Sequence, residues 1–418
     1  MKGLIFTYVL CYGGAVASLF DPFVGLMIYI CFAIIKPEAM WFWAVPEGNY
    51  SRIVAVALLV GWVRKGFGQW QLGRARGIVI ALVGFWLWAI LSAFWAIDRS
   101  IAWEWIESIS KIVLPFVVGI TIIDSLPKLK VLAWVIMLSQ AYVALEANLA
   151  YFDGYNRLRE EGFGGMDNNS VAIALDTCIG LAFFLGLEMK NLWLKGLAFA
   201  GAAVMTHAVL LSFSRGGMLA LIVTGVVSFF LLPKKWQHYL TFAIGVLIAL
   251  RLAGPQVVER FTTIFHYKED ASAEGRIEYW GICWDLMQKH PLGIGPNQFG
   301  VVAPDYGLQA GRQAHSLWFQ LGAELGFVGL GCLVLFYGIC AVRLWPLAWR
   351  NDTAPDPWLH VAARMVLASL VGFAVSAQFV SLSLLEVPFY IALIGVVTLK
   401  LSAAPVDPAP DAMLQWTG

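Results

Sequence analysis

The chain has 418 residues, of which 60% are hydrophobic and 13% charged, and its mean hydropathy is +0.74. Soluble domains carry about 25% charged and about 45–50% apolar residues, so this composition excludes a soluble globular domain and indicates an integral membrane protein. The formal net charge is +1, which gives no indication of nucleic-acid binding.

Apolar segments long enough to cross a bilayer as helices recur along the chain, for example GIVIALVGFWLWAILSAFWAI at residues 77–97. A β-barrel would alternate apolar and polar residues, so the unbroken runs predict an all-α, polytopic membrane protein. If the two short first spans both cross, the chain makes about thirteen passes, and if they form a hairpin or one span, about twelve. The predicted spans are residues 4–20, 22–36, 52–63, 78–97, 110–123, 131–149, 169–187, 193–213, 217–233, 237–253, 316–342, 359–380 and 386–402.

Lysine and arginine are concentrated in short loops on one side of these spans. The positive-inside rule places the basic loops in the cytoplasm. Residues 98–108 and 152–169, together with the long polar segment 254–315, then face outward. The basic loops are residues 64–76, 127–130, 188–195, 233–238 and 343–350.

Hydropathy divides the chain into four parts. Residues 1–253 hold the first ten predicted spans, 254–315 form a partly helical periplasmic loop subdomain, and 316–402 hold the final spans. The tail, 403–418, is rich in proline, alanine and aspartate, which predicts a disordered cytoplasmic segment.

Within the outer segment, GRIEYWGICWDLMQKHP (275–291) has the spacing of an amphipathic helix that ends at Pro291. Such a helix is expected to lie against the membrane or the bundle of spans. The following PLGIGPNQFG (291–300) predicts a turn whose backbone closely approaches another part of the molecule. The predicted apolar face carries Ile277, Trp280, Cys283, Trp284 and Met287, and the opposite face carries Glu278, Asp285, Gln288 and Lys289.

Two arginines on the outer side are candidate anion ligands. Arg215, in SFSRGGML (212–219), lies at the end of one span and before the next, where a guanidinium should face the bundle interior or a wet cavity. The alternative is a snorkelling interfacial arginine, but the flanking serines and glycines would let a ligand come close. Arg276, in the first turn of the amphipathic helix, suits phosphate oxygens through its planar fork, and the alternative there is a solvated surface charge.

The segment RQAHSLWFQLGAELGFVGL (312–330) places a histidine at the start of an apolar helix. One interpretation of His315 is a polar helix cap or an interfacial ring. The other is a proton-transfer group, because the ordinary pKa of histidine lies near neutrality. Glu324 favours the second interpretation, since a carboxylate within an apolar helix needs a reason to be there.

Neither a metal site nor a cofactor is predicted. The other histidines show no i,i+4 pairing, and the six cysteines are scattered, mostly within predicted spans, which also argues against a disulfide framework. What remains is an outward-facing membrane site with arginines for an anion and a histidine for a proton.

Three segments together resemble the O-antigen ligase-like family of bacterial inner-membrane proteins, which includes O-antigen ligases, O-antigen polymerases and O-linked glycosylation ligases. They are SFSRGGMLAL (212–221), GRIEYWGICWDLMQKHPLGIGPNQF (275–299) and AHSLWFQLGAELGFVGL (314–330). The resemblance covers residues 150 to 400, and FGGMDNNSVAIAL (163–175) is similar to the O-glycosylation ligases found with exosortase-type systems.

The resemblance implies a metal-independent, inverting glycosyltransferase whose donor is a glycan on undecaprenyl diphosphate at the periplasmic side of the inner membrane. The acceptor is lipid A–core in ligases, another glycan in polymerases and a protein in O-glycosylation ligases; ligase activity is the one expected here. Membrane lipids are the other expected partners, and nucleic acid is not one.

The resemblance also suggests roles for individual residues. Arg215 and Arg276 match the arginines that bind the donor diphosphate, Arg312 is a less regular member of that pattern, and His315 matches the histidine that activates the acceptor hydroxyl. Aromatic side chains nearby are candidates for sugar contacts, with anchoring at the membrane interface as their alternative role. They are Tyr279, Trp280, Trp284 and Trp318.

A multi-span transporter is the competing function from another class, because the composition suits it as well. Transporters place polar groups at mid-membrane on broken helices, often in related pairs. Here the informative polar residues gather on one side around one long loop, which favours chemistry on a lipid-borne substrate. A purely structural membrane protein would leave Arg215, Arg276 and His315 unexplained.

Overall fold

The computed structural model describes residues 1–252, 254, 257, 271–349, 354–382 and 384–403. Over these residues the secondary structure is helical, apart from an isolated β-bridge between Phe163 and Met166. The predicted all-α membrane fold is confirmed, because nine helical segments in the described part of the chain are long and apolar enough to cross a bilayer. The predicted tail lies outside the described residues except for Ala403.

The principal helices are numbered here in chain order, and α1 contains a π-helical turn at Val9–Gly13. They are α1 (Lys2–Phe20), α2 (Pro22–Ile35), α3 (Tyr50–Arg64), α4 (Arg76–Ser92), α5 (Arg99–Ile122), α6 (Leu126–Phe152), α7 (Asn168–Glu188), α8 (Leu192–Leu211), α9 (Arg215–Leu231), α10 (Trp236–Leu252), α11 (Ala271–Lys289), α12 (Leu317–Trp349), α13 (Pro357–Ser376) and α14 (Val387–Ser402). Short helices at Pro37–Met40, Arg157–Glu160 and Phe299–Val302 lie in the connections. α7 and α13 are buried along most of their length.

The outward loop predicted at residues 98–108 is wrong, because this segment begins α5. Asp98 caps the helix, and its carboxylate accepts hydrogen bonds from the amides of Ser100 (2.9 Å) and Ile101 (3.2 Å). An aspartate in this position satisfies amides at the helix start that have no partner within the helix. A polar helix start of this kind has the composition of a loop.

Basic loops predicted at the opposite ends of the spans are also partly helical. Residues 127–130 lie inside α6, and the loop predicted at 343–350 is part of α12 as far as Trp349. Arg364 of α13 donates a hydrogen bond from Nε to the carbonyl of Ala348 (2.9 Å). This contact supplies a partner for a carbonyl in the last turn of α12 and helps the helix to continue past its apolar run.

The amphipathic helix α11 is confirmed, and it ends at Lys289, just before the predicted stop at Pro291. Its buried face differs from the predicted one. The buried positions are Tyr279, Cys283, Leu286 and Met287. Ile277 and Trp284, which the spacing assigned to the buried face, are 59% and 48% exposed. Only one side of α11 packs against α12, so the apolar stripe is divided between the protein interior and an exposed strip.

α12 is broken at Gly326, whose φ of 66° and ψ of −172° are not helical. The glycine-rich turn that follows α11 inserts its backbone at this break. The amide of Ile294 donates to the carbonyl of Ala323 (3.2 Å), and the amide of Gly295 donates to that of Glu324 (2.9 Å). Backbone groups that the break would otherwise leave without partners are therefore satisfied by the inserted turn.

The inserted turn confirms the close backbone approach predicted for residues 291–300. Beyond the break, the amide of Phe327 donates to the carbonyl of Pro291 (3.0 Å). Trp88 of α4 donates its indole N–H to the carbonyl of Leu325 (2.7 Å) from another side. The break therefore joins the outer segment, α12 and α4 through hydrogen bonds to the backbone.

Replacing Gly326 with alanine should lower the apparent melting temperature of the detergent-solubilised protein. The added Cβ would come 2.3 Å from the carbonyl oxygen of Pro291, and the positive φ is strained for alanine, so we expect a loss of about 2 kcal/mol or more. The matched control is Gly338→Ala in the same helix, where a Cβ meets nothing within 4 Å and should be tolerated. Equal melting temperatures for the two variants would contradict the role of the break.

Candidate active site

A cavity of about 540 Å³ lies at the end of the bundle where α2 ends and where α7, α12 and α14 begin. Its volume is typical of pockets that hold small molecules or parts of larger ones. Its polar lining residues are Lys36, Asp167, Ser170, Arg312, Gln313, His315, Ser381 and Glu386. Two of the residues predicted for the site, Arg312 and His315, therefore line one cavity.

His315 is held in this cavity by the backbone on either side of it. Its φ of 52° is in the left-handed region, which is uncommon for residues other than glycine. The amide of Ala314 donates to Oε1 of Gln320 (3.0 Å), and Trp280 donates its indole N–H to the carbonyl of Ala314 (3.1 Å). After the histidine, the amide of Leu317 donates to a carbonyl at the end of α13 (2.8 Å). The imidazole is thus presented from a segment with fixed hydrogen bonds.

Glu324, the carboxylate that the sequence left unexplained, belongs to the same hydrogen-bond network and is 2% exposed. Its Oε1 accepts from Nε2 of Gln320 (3.0 Å) and from the amide of Phe299 (3.2 Å). Gln320 in turn contacts the segment that carries His315. Glu324 therefore connects the inserted turn to the histidine segment and has a structural reason to be buried.

The surroundings of His315 favour its neutral form. Burial is the largest cause that lowers the pKa of His315 below its ordinary value, and the positive charge of Arg276 lowers it further. The carboxylate of Asp167 raises the pKa, and Arg312 lowers it slightly. A half-buried imidazole that is neutral at neutral pH can accept a proton from a hydroxyl group.

The structure brings Arg276 and Arg312 to the same region as His315. Arg276 is half-buried, and its charge acts on the histidine. It lies in the second turn of α11 and not in the predicted first turn, because the helix begins earlier, at Ala271. Arg312 donates from Nε to the hydroxyl of Tyr279 (3.2 Å), and its guanidinium lies 5.5 Å from the centre of that ring. Arg312 thus lines the cavity together with the histidine, whereas Arg276 acts on the histidine from α11 and is not among the described residues that line the cavity.

Arg215 lies beside this region and is not among the described residues that line the cavity. It is the half-buried first residue of α9, which Ser214 caps by accepting from the amide of Gly217 (3.1 Å). The hydroxyl of Ser214 donates to Asn169 (2.7 Å), two residues from the cavity residue Asp167. A hydrogen bond therefore joins the SFSRGGML segment to the FGGMDNNS segment. The role of Arg215 in binding a donor stays a prediction.

Three of the four aromatic residues proposed for sugar contacts lie at the histidine segment, whereas Trp284 contacts Phe327, and within the described chain none of the four lines the cavity. Tyr279 accepts the arginine hydrogen bond described above. Trp280 stacks on Phe319 with ring centres 5.5 Å apart, and Trp318 donates its indole N–H to the backbone at the end of α13 (3.2 Å). Trp284 is 48% exposed. Their contact with sugar remains a prediction.

Three charged residues of the cavity were not singled out from the sequence. Asp167 lies within the quoted FGGMDNNS motif, and in the structure it caps α7 by accepting a hydrogen bond from the amide of Ser170 (2.9 Å). Lys36 and Glu386 lie at the edges of the predicted spans 22–36 and 386–402, where a charged residue is ordinary. Because Lys36, Asp167 and Glu386 are far from His315 along the chain, the sequence does not indicate that they line the same cavity.

Two family models match parts of this chain. A family model described as O-antigen ligase matches residues 200–334, which include the three arginines and the histidine discussed above. A second model, of a family of unknown function, matches residues 1–160, and no curated protein matches the chain. The match to the ligase family supports a glycosyltransferase of the O-antigen ligase or polymerase type in a membrane-embedded chain. Residues 200–334 therefore resemble the O-antigen ligase family, and this part of the chain carries the three segments quoted above for that family.

Proposed function

We propose that this protein is a metal-independent, inverting glycosyltransferase that moves a glycan from undecaprenyl diphosphate to a hydroxyl of lipid A–core, as an O-antigen ligase does. The observation that carries the proposal is His315, which lines the cavity and is close enough to Arg276 and Arg312 for their charges to lower its pKa. A polymerase or a protein O-glycosylation ligase would use the same donor chemistry with a different acceptor.

The proposed reaction is a single displacement. The oxygen of the acceptor hydroxyl attacks the anomeric carbon of the donor sugar, and its proton passes to the imidazole of His315. The bond between the anomeric carbon and the diphosphate oxygen breaks, and undecaprenyl diphosphate leaves with that electron pair. Attack from the face opposite the leaving group inverts the anomeric carbon.

The arginines would act on the charge that develops during this step. Guanidinium groups directed at the departing diphosphate stabilise it electrostatically, and a diphosphate whose charge is compensated leaves without being protonated. Arg276 and Arg312 are the best-placed candidates, because both charges act on His315 and Arg312 also lines the cavity. Arg215 would contribute from the adjoining start of α9.

The distribution of basic residues supports a periplasmic location for the cavity. Arg64 and Lys65 at the end of α3, and Lys128 and Lys130 at the start of α6, lie at the end of the bundle opposite the cavity. By the positive-inside rule that end faces the cytoplasm. The cavity would then open on the periplasmic side of the inner membrane, where a flipped lipid-linked glycan is available.

Replacing His315 with alanine should lower glycan transfer by about 10²–10⁴-fold, because the general base is lost. The assay uses protein reconstituted in lipid nanodiscs, a glycan on undecaprenyl diphosphate as donor and lipid A–core as acceptor. His290→Ala is the matched control, since this histidine is exposed and does not line the cavity. Near-normal transfer by the His315→Ala variant would remove the histidine from the mechanism.

The pH dependence of transfer should report the charges around His315. Because the pKa of His315 is lowered, the wild-type rate should fall only when the pH drops below the ordinary histidine pKa of about 6.5. Arg276→Gln removes a positive charge, raises the pKa and should move the acidic limb of the profile to higher pH. Asp167→Asn removes a negative charge and should move it to lower pH. If the acidic limbs of the Arg276→Gln and Asp167→Asn profiles moved in the same direction, this arrangement of charges would be contradicted.

A further inference from the structure

Lys36 and Glu386 form a second group of charges in the cavity, contributed by parts of the chain that are far apart. Lys36 immediately follows α2, and Glu386 immediately precedes α14. Both side chains are half-buried and line the cavity. Burial raises the pKa of Glu386, and the charge of Lys36 opposes this shift, so the two groups interact electrostatically. The charges that act on His315 are different ones.

Lys36 is held in place by the wall of the cavity. Its Nζ donates to the carbonyl of Gly164 (3.0 Å), and its side chain lies so close to that glycine that an added Cβ would come 2.5 Å from Cδ of Lys36. Arg157 donates to the carbonyl of Ala39 (3.0 Å), which makes a second hydrogen bond between the connection after α2 and the connection between α6 and α7. The connection after α2 is thus fastened to the loop that carries Asp167.

The presence of an ammonium group and a carboxylate in one cavity indicates the chemistry of the ligand. Together they offer strong hydrogen-bond donors and acceptors with no net charge, which suits the adjacent hydroxyl groups of a sugar. A diphosphate would be repelled by Glu386, so this part of the cavity is poorly suited to the leaving group. Val380, Leu382 and Leu385 line the cavity next to these charges and offer apolar surface to the C–H face of a sugar ring.

We propose that Lys36 and Glu386 form a subsite that binds hydroxyl groups of the acceptor saccharide and places another of its hydroxyls at His315. This inference rests on the proposed function, and it adds a location for acceptor recognition. It also gives a role to the region matched by a family of unknown function, because Lys36 lies within residues 1–160. That region would contribute acceptor specificity, while the ligase-type region supplies the histidine and arginines.

The test compares donor and acceptor kinetics of full-length variants in nanodiscs, with the glycan donor and lipid A–core described above. Glu386→Gln and Lys36→Met should each raise the KM for lipid A–core by roughly ten- to a hundred-fold, because each removes a charge-assisted hydrogen bond, and should leave the KM for the donor nearly unchanged. Lys36→Arg keeps the charge and should recover part of the affinity. Glu160→Gln, an exposed position in the connection after α6, is the matched control and should change neither KM.

An unchanged acceptor KM in Glu386→Gln and Lys36→Met would overturn the subsite while leaving the proposed function intact. A lower kcat and melting temperature with both KM values unchanged would overturn it as well, because the two residues would then only stabilise the wall. If the wild-type protein transfers nothing to lipid A–core, the proposed function fails, and the subsite is decided by binding of delipidated core oligosaccharide, measured by saturation-transfer NMR. Absence of binding to the wild type, or binding unaffected by Glu386→Gln, would then overturn it.

Discussion

The geometry of the candidate site depends on the insertion of one turn into a broken helix. Inside a membrane bundle each backbone amide and carbonyl needs a partner, and the break at Gly326 leaves several without one. The turn at residues 291–300 supplies those partners and also delivers the amide of Phe299 to the buried carboxylate of Glu324. From Glu324 the hydrogen bonds continue through Gln320 to the segment that carries the histidine. A backbone defect thereby determines where a reactive side chain lies.

The charges of the cavity are arranged around two different requirements. Around His315, positive charges and burial keep the imidazole neutral, and the same positive charges suit the anion of a leaving diphosphate. On the other side, the opposite charges of Lys36 and Glu386 offset each other, which suits a neutral ligand with several hydroxyl groups. A transferase that moves sugar from a lipid diphosphate to another saccharide needs both environments within one cavity. Their proximity favours transfer to a bound acceptor over hydrolysis by water.

Much of the fold could be predicted from the sequence, because a helix that crosses a bilayer requires a long apolar run. Over the described residues, each predicted span overlaps an observed helix for most of its length. The errors lie where helices have polar ends. Asp98 caps a helix whose first turns have the composition of a loop, and Arg364 supports the end of α12 from another helix. The exposed side of α11, with Ile277 and Trp284, depends on which face meets α12, and spacing alone does not specify that face.

The candidate site could be predicted only in part. His315 and Arg312 belong to one short motif, so the sequence indicated their proximity. Glu324 could be recognised as unusual, but one of its partners is a backbone amide, which has no signature in the sequence. Lys36 and Glu386 lie at opposite ends of the chain, and only the packing of α2 and α14 at one end of the bundle brings them into one cavity.

The central claim is that the arginine and histidine side of the cavity holds the lipid diphosphate and the lysine and carboxylate side holds the acceptor. It is tested most directly by a cryo-EM structure of the His315→Ala variant in nanodiscs with an undecaprenyl-diphosphate-linked glycan bound. The diphosphate oxygens should lie about 3 Å from guanidinium nitrogens of Arg276, Arg312 or Arg215, with the anomeric carbon facing the position of the missing imidazole. Density for the diphosphate against Lys36 and Glu386, or at the opposite end of the bundle, would contradict the assignment.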